Sequence, residues 1–97
     1  MKIPLRDFLC QTERQMIMRA CERMGLKMEL KTGQVKNHKG HLTRTLSYYL
    51  ISREELMSIC ESYLAKYKAK GHYSSLQAYK RHLKNVEQFD KYMEKIK

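Results

Sequence analysis

The 97-residue sequence carries 20 Lys and Arg against 10 Asp and Glu, a formal net charge of +10, with 42% apolar residues, three Cys and one Pro. That length supports one hydrophobic core and excludes a second domain, so residues 1–97 are expected to form a single compact basic domain. No apolar run approaches the roughly 18–20 residues of a membrane span, and Arg6 and Asp7 stand where a signal peptide would be apolar. The expectation is a soluble, cytoplasmic protein with no membrane partner.

In chain order, Pro4 suits a first helical turn, and Thr12 with Gln15 forms a capping box that could start or restart a helix. Leu9, Met16, Ile17, Ala20, Cys21 and Met24 then recur at helical spacing, and Gly25 supplies the stop. After Gly25 the period changes. Leu26, Met28 and Leu30 alternate with Lys27, Glu29 and Lys31, the pattern of a half-buried strand, and Thr32-Gly33 reads as a turn.

A second alternation from Leu42 through Leu46, Tyr48 and Leu50, with Thr43 and Thr45 between, predicts a longer strand. The segment Gly33 to His41 then becomes a basic connection whose tip projects from the sheet, with a short extra strand around Val35 as an option. Ser52 with Glu55 is a capping box for a helix striped by Leu56, Ile59, Cys60, Tyr63, Leu64 and Tyr67, which Gly71 ends. Ser74 with Gln77 offers the next cap, and Leu76, Tyr79, Leu83, Val86, Phe89 and Met93 carry a last helix. Its stripe drifts around the helix, so Phe89, Tyr92, Met93 and Ile96 are candidates for a homodimer through the C-terminal helix.

The predicted fold is α+β: an N-terminal helix, a small antiparallel two- or three-stranded sheet and two C-terminal helices. The alternative is all-α with a helix-turn-helix in the middle, because Leu42, Leu46, Tyr49 and Leu50 also match a helical period. Glu13-Arg14, Ala20, Leu42-Thr43-Arg44 and Leu46 are spaced as in a Fis-type helix-turn-helix. That limited resemblance implies a recognition helix over 39–50 in which Lys39, His41 and Arg44 read bases. Lys31 and Thr32 depart from it, standing where that family places small apolar residues at the helix contact.

Two windows lack acidic residues. Between Glu29 and Glu54 lie Lys31, Lys36, His38, Lys39, His41, Arg44 and Arg53; between Glu61 and Glu87 lie Lys66, Lys68, Lys70, His72, Lys80, Arg81, His82 and Lys84. Counterion release rewards cations that are not already matched by carboxylates, so these windows point to phosphate. Lys31, Lys36, His38, Lys39, His41 and Arg44 in the first, and Lys66, Lys70, Lys80, Arg81 and Lys84 in the second, are the candidate contacts. Tyr73, beside Gly71, is the candidate for stacking an unpaired base.

The expected function is a small non-enzymatic nucleic-acid-binding protein, DNA ahead of RNA, in a regulatory setting such as transcription. The second reading is an adaptor or inhibitor docking on an acidic protein surface. No cofactor is expected. Cys10, Cys21, His38 and His41 lack the close cysteine pair usual in structural zinc sites, and Cys10, Cys21 and Cys60 all read as small reduced hydrophobes in helices. There is no P-loop spacing, nucleophile elbow or carboxylate pair near the histidines to suggest catalysis.

Overall fold

The computed structural model describes residues 1–36 and 38–96, and for 35, 36 and 42–45 the backbone alone. Strand β1 (Lys2–Pro4) runs into a 3-10 turn (Leu5–Asp7). Helix α1 (Gln11–Met24), β2 (Glu29–Lys36), β3 (Leu42–Ser52), α2 (Arg53–Lys70) and α3 (Tyr73–Lys95) follow. The fold is α+β, with an N-terminal helix, a three-stranded antiparallel sheet of order β1-β3-β2 and two C-terminal helices.

The helical alternative for the middle is overturned. Residues 42–52 form a strand that pairs with β2 from Leu42 to Leu50, Leu30 opposite Tyr49, and with β1 from Leu50 to Ser52, Ile3 opposite Ile51. Thr43, Thr45, Tyr48, Tyr49 and Ile51 are β-branched or aromatic, residue types that favour a pleated strand. The predicted turn at Thr32-Gly33 is likewise corrected. Both residues lie within β2, opposite Ser47 and Leu46, so the first strand continues to Lys36 and includes Val35. The third strand is the N-terminal β1, where Pro4 closes a strand at the sheet edge and at once caps the 3-10 turn Leu5–Asp7.

Capping explains the remaining differences. The box at Ser52 is present: Ser52 Oγ accepts from Glu55 N–H at 3.2 Å, and Ser52 N–H donates to Glu55 Oε1 at 3.0 Å. A strand therefore passes into a helix with no intervening loop. Thr12 and Ser74 are not caps, because α1 starts after Cys10 and α3 after His72. Gly71 closes α2 at φ 68°, and the following carbonyl of His72 at once accepts from Ser75 and Leu76. The third helix thus begins two residues earlier than its serine suggested.

One cluster forms the core: Ile3, Leu5, Leu9, Ile17, Ala20, Cys21, Ile51, Leu56, Ile59, Cys60, Val86 and Phe89. Every helix contributes to it: α2 packs on β3, α3 lies along α2, and α1 meets α2 and the 3-10 turn. Phe8 meets Phe89 edge-on at 5.4 Å, and Tyr92 donates to Asp7 at 3.2 Å, which ties the 3-10 turn to α3. Phe89, Tyr92 and Met93 are all absorbed here, and of the drifting stripe only Ile96, 47% exposed, is left outside. Among the described residues no helix is long and apolar enough to cross a membrane.

Candidate nucleic-acid interface

Strand β1 covers only Leu50, Ile51 and Ser52 of β3. Beyond that point β3 is paired on one side alone, with β2, from Tyr49 to Leu42. The result is a two-stranded ribbon that outruns the sheet by about 27 Å, at roughly 3.4 Å per residue. The shape agrees: the radius of gyration is 15.9 Å and the extents 58 × 28 × 20 Å, against ~12.5 Å for a compact chain of this length. A register shift between Val35 and Lys36, typical of a bulge, lies near the far end.

Six of the predicted contacts sit on this ribbon. Lys31 is exposed in β2 opposite Tyr48; Lys36 pairs in register with Leu42, and Arg44 with Val35. The side chains of Lys36 and Arg44 lie outside the described residues. His38, Lys39 and His41 are exposed at the connection, where Gly40 takes φ 82°. No acidic residue occurs between Glu29 and Glu54, so the ribbon beyond its first residue carries positive charge only.

Register also separates the two faces of β3. Tyr49 lies on the side of Ile51 and packs on the core. Leu46, Tyr48 and Leu50 alternate with it, are half-buried, and lie on the opposite side of the pleat, with Tyr48 also at the rim of an open cavity shared with Arg14 and Met18 of α1. Tyr48, opposite Lys31, therefore belongs to the outer surface of the ribbon's base and Tyr49 to its packed surface.

The second basic group lies on the α2–α3 hairpin. Lys70 is the last residue of α2 and exposed, and Lys66 holds its ammonium 5.4 Å from the centre of the Tyr63 ring. Tyr73 opens α3 with 68% of its surface exposed, as expected for a residue outside the core. Lys80 and Lys84 rim an open groove with Ser74 and Gln77. At 100° per residue Tyr73, Gln77, Lys80, Lys84, Lys91 and Lys95 fall within an arc of about 60° on the outer side of α3, and all six are exposed. Lys91 and Lys95 were missed because Glu87 closed the sequence window; reading by helical phase finds them. Glu87 and Glu94 flank the row on one side.

Arg81 stands apart. Its guanidinium is committed to Glu13 of α1, with Nη2 2.8 Å from Oε1 and Nε donating at 2.8 Å, while Asn85 donates to Oε2 at 3.3 Å. Hydrogen bonding from Arg81 holds the Glu13 carboxyl below its ordinary range, against the opposing effect of desolvation. Unlike the lysines beside it, Arg81 already has a carboxylate partner, and it joins α1 to α3. His82, in the same window, is buried in the core, stacked on Tyr63 at 5.2 Å and 13°. Burial pushes its pKa down, and its Nδ1 has no hydrogen-bond partner among the described residues.

The cysteine expectation holds for two of three. Cys21 and Cys60 are buried, and burial raises their thiols to about 11, whereas Cys10 precedes α1 and is exposed. Among the described residues no group of three His, Cys, Asp or Glu side chains is placed to hold a metal ion. Comparison with protein-family models, with curated proteins and with solved structures finds no match for this chain.

Proposed function

We propose that the protein binds nucleic acid, with the β2–β3 ribbon as its principal contact and the outer lysines of α3 as a second one. The observation that carries this reading is a ribbon that extends past the third strand and bears cations without a carboxylate among them. A two-stranded antiparallel ribbon has dimensions a major groove admits, and its lysines and arginine supply the counterion release that dominates affinity. Tyr48, on the outer face beside Lys31, adds a ring that an unpaired base can stack on. Regulation of transcription is the setting this size and charge suit.

The test is binding of labelled duplex DNA, single-stranded DNA and RNA across a salt series, with a Lys36→Ala, Lys39→Ala, Arg44→Ala triple variant beside the native chain. The expected result is a logarithmic salt slope lower by about 2–3 units on duplex in the variant, at about 0.9 per phosphate contact. An unchanged slope moves the contact to Lys80, Lys84, Lys91 and Lys95. Absence of binding to all three probes at low salt refutes the reading and leaves an acidic protein surface as the partner class.

A further inference from the structure

Strand β2 has β3 on one side and, among the described strands, nothing on the other. Natural proteins protect such an edge with charge, bulges or a cover, since its unpaired N–H and C=O groups invite another strand. Here the protection is uneven. The register shift lies at the ribbon's far end, whereas residues 29–32 pair regularly with β3 and present Leu30, 52% exposed, on the side of Tyr49. Beside Leu30 runs an open groove walled by Met18, Cys21, Leu26, Met28 and Tyr49, with Glu22 and Lys27 also in its lining, in which Met18 is 40% exposed.

We infer that a second copy of this chain covers the edge, pairing β2 antiparallel with β2 across a two-fold axis at Leu30. An axis normal to the sheet keeps both sets of helices on one face and must pass beside a single residue, so the registers can be compared one by one. An axis at Lys31 sets two ammoniums against each other. An axis at Thr32 or Gly33 leaves Leu30 opposite Gln34 or Lys36 of the partner. The axis at Leu30 places Leu30 on Leu30 over the groove, Met28 opposite Thr32 of the partner, and Glu29 opposite Lys31 of the partner, twice. Directly opposite charges on one face stabilise antiparallel pairs, and like charges there destabilise them.

The resulting sheet has six strands in the order β1-β3-β2-β2-β3-β1, and the contact is isologous, as most homodimers are. Its two ribbons leave the joint sheet in opposite directions. The inference does not depend on what the ribbons bind.

The experiment is sedimentation equilibrium of the full chain from micromolar to several hundred micromolar, with four variants checked for native circular dichroism. The native chain is expected at twice the chain mass, and Leu30→Lys at the chain mass. Lys31→Glu opposes carboxylates twice and weakens association about tenfold. Adding Glu29→Lys in the same chain restores opposite charges and recovers most of that loss. The Lys2–Glu29 ion pair at 3.7 Å is exposed, so its loss in the double variant leaves the fold intact. Ile96→Lys is expected to change nothing. A monomer throughout the concentration range, a dimer indifferent to Leu30→Lys, or charge reversal without rescue would each overturn the inference.

Discussion

Glu13 and Arg81, 68 residues apart in the chain, meet at 2.8 Å and join the first helix to the third. The carboxylate also accepts from Asn85, which is 3% exposed and has no water to turn to if that partner is lost. Glu13→Ala is therefore expected to cost about 1–2 kcal/mol, chiefly by stranding a buried amide donor, and to lower Tm by several degrees in calorimetry. Asn85→Leu in the Glu13→Ala background should recover part of it. An unchanged Tm in Glu13→Ala would show that the contact is not maintained in solution.

Stability is expected to fall on the acid side in two stages. His82 has its folded pKa lowered from 6.5 by burial, so the unfolded chain takes up that proton first. The stabilisation is complete above about 6.5 and is lost as pH falls through the folded value. The groups facing His82 are Tyr63 from α2, with Lys66 over that ring, Glu13 from α1 and neighbouring Arg81. Glu13, whose pKa is held down mainly by Arg81, adds a second loss below 4.5 by the same sign. Urea midpoints followed by circular dichroism should decline below pH 6.5 in the native chain and stay level down to about 4.5 in His82→Leu.

At neutral pH the same His82→Leu substitution is expected to leave stability within about 1 kcal/mol of native or raise it. It removes an unpartnered buried nitrogen, a defect of about 1–3 kcal/mol, and gives up a ring stack of about 0.5–1.5 kcal/mol. A loss of more than 2 kcal/mol would mean that Nδ1 has a partner in solution.

Ser52 ends the central strand and caps α2. Ser52→Ala should cost about 1 kcal/mol, within a range of roughly 0.5–2, and Ser52→Asp should restore most of it because an aspartate accepts the same N–H. Equal stability of the alanine and native chains in thermal denaturation would argue against the box.

Substitutions along β3 should report its two faces. Ile51→Ala, in the core, is expected to cost about 2–5 kcal/mol, and Leu46→Ala, on the opposite side of the pleat, about 1 kcal/mol or less. Thiol labelling gives an independent check of burial. One cysteine, Cys10, should react with an aromatic disulfide reagent in the native state, with Cys21 and Cys60 following only on unfolding.

Much of this architecture is legible along the chain because it is set by local rules. Gly25 and Gly71 end helices in the left-handed region, Ser52 and Glu55 cap each other, and the period changes after Gly25. These signals need only a few neighbouring residues. Thr12 and Ser74 show the limit of such rules: each has the right chemistry for a cap, yet the helix starts where the preceding 3-10 turn or glycine turn delivers the chain.

The charge of the chain, its three helices and the basic composition of the central segment are legible in the sequence by itself, since composition and periodicity are local, whereas the choice of strand over helix for 42–52 was made by pairing with β2 and β1. Which cations stand apart from carboxylates is not local. Arg81 reads as one more cation in a basic window until α1 brings Glu13 against it, and Lys91 and Lys95 join Lys80 and Lys84 only through helical phase. Nor could β1 be foreseen, because three residues carry no period; it is a strand since Ile3 reaches the core opposite Ile51. The length of β1 leaves the β2–β3 ribbon projecting, and the sheet order leaves Leu30 on an open edge. Both are decided by which strands pair, a long-range choice made when burial of the shared core outweighs every local preference.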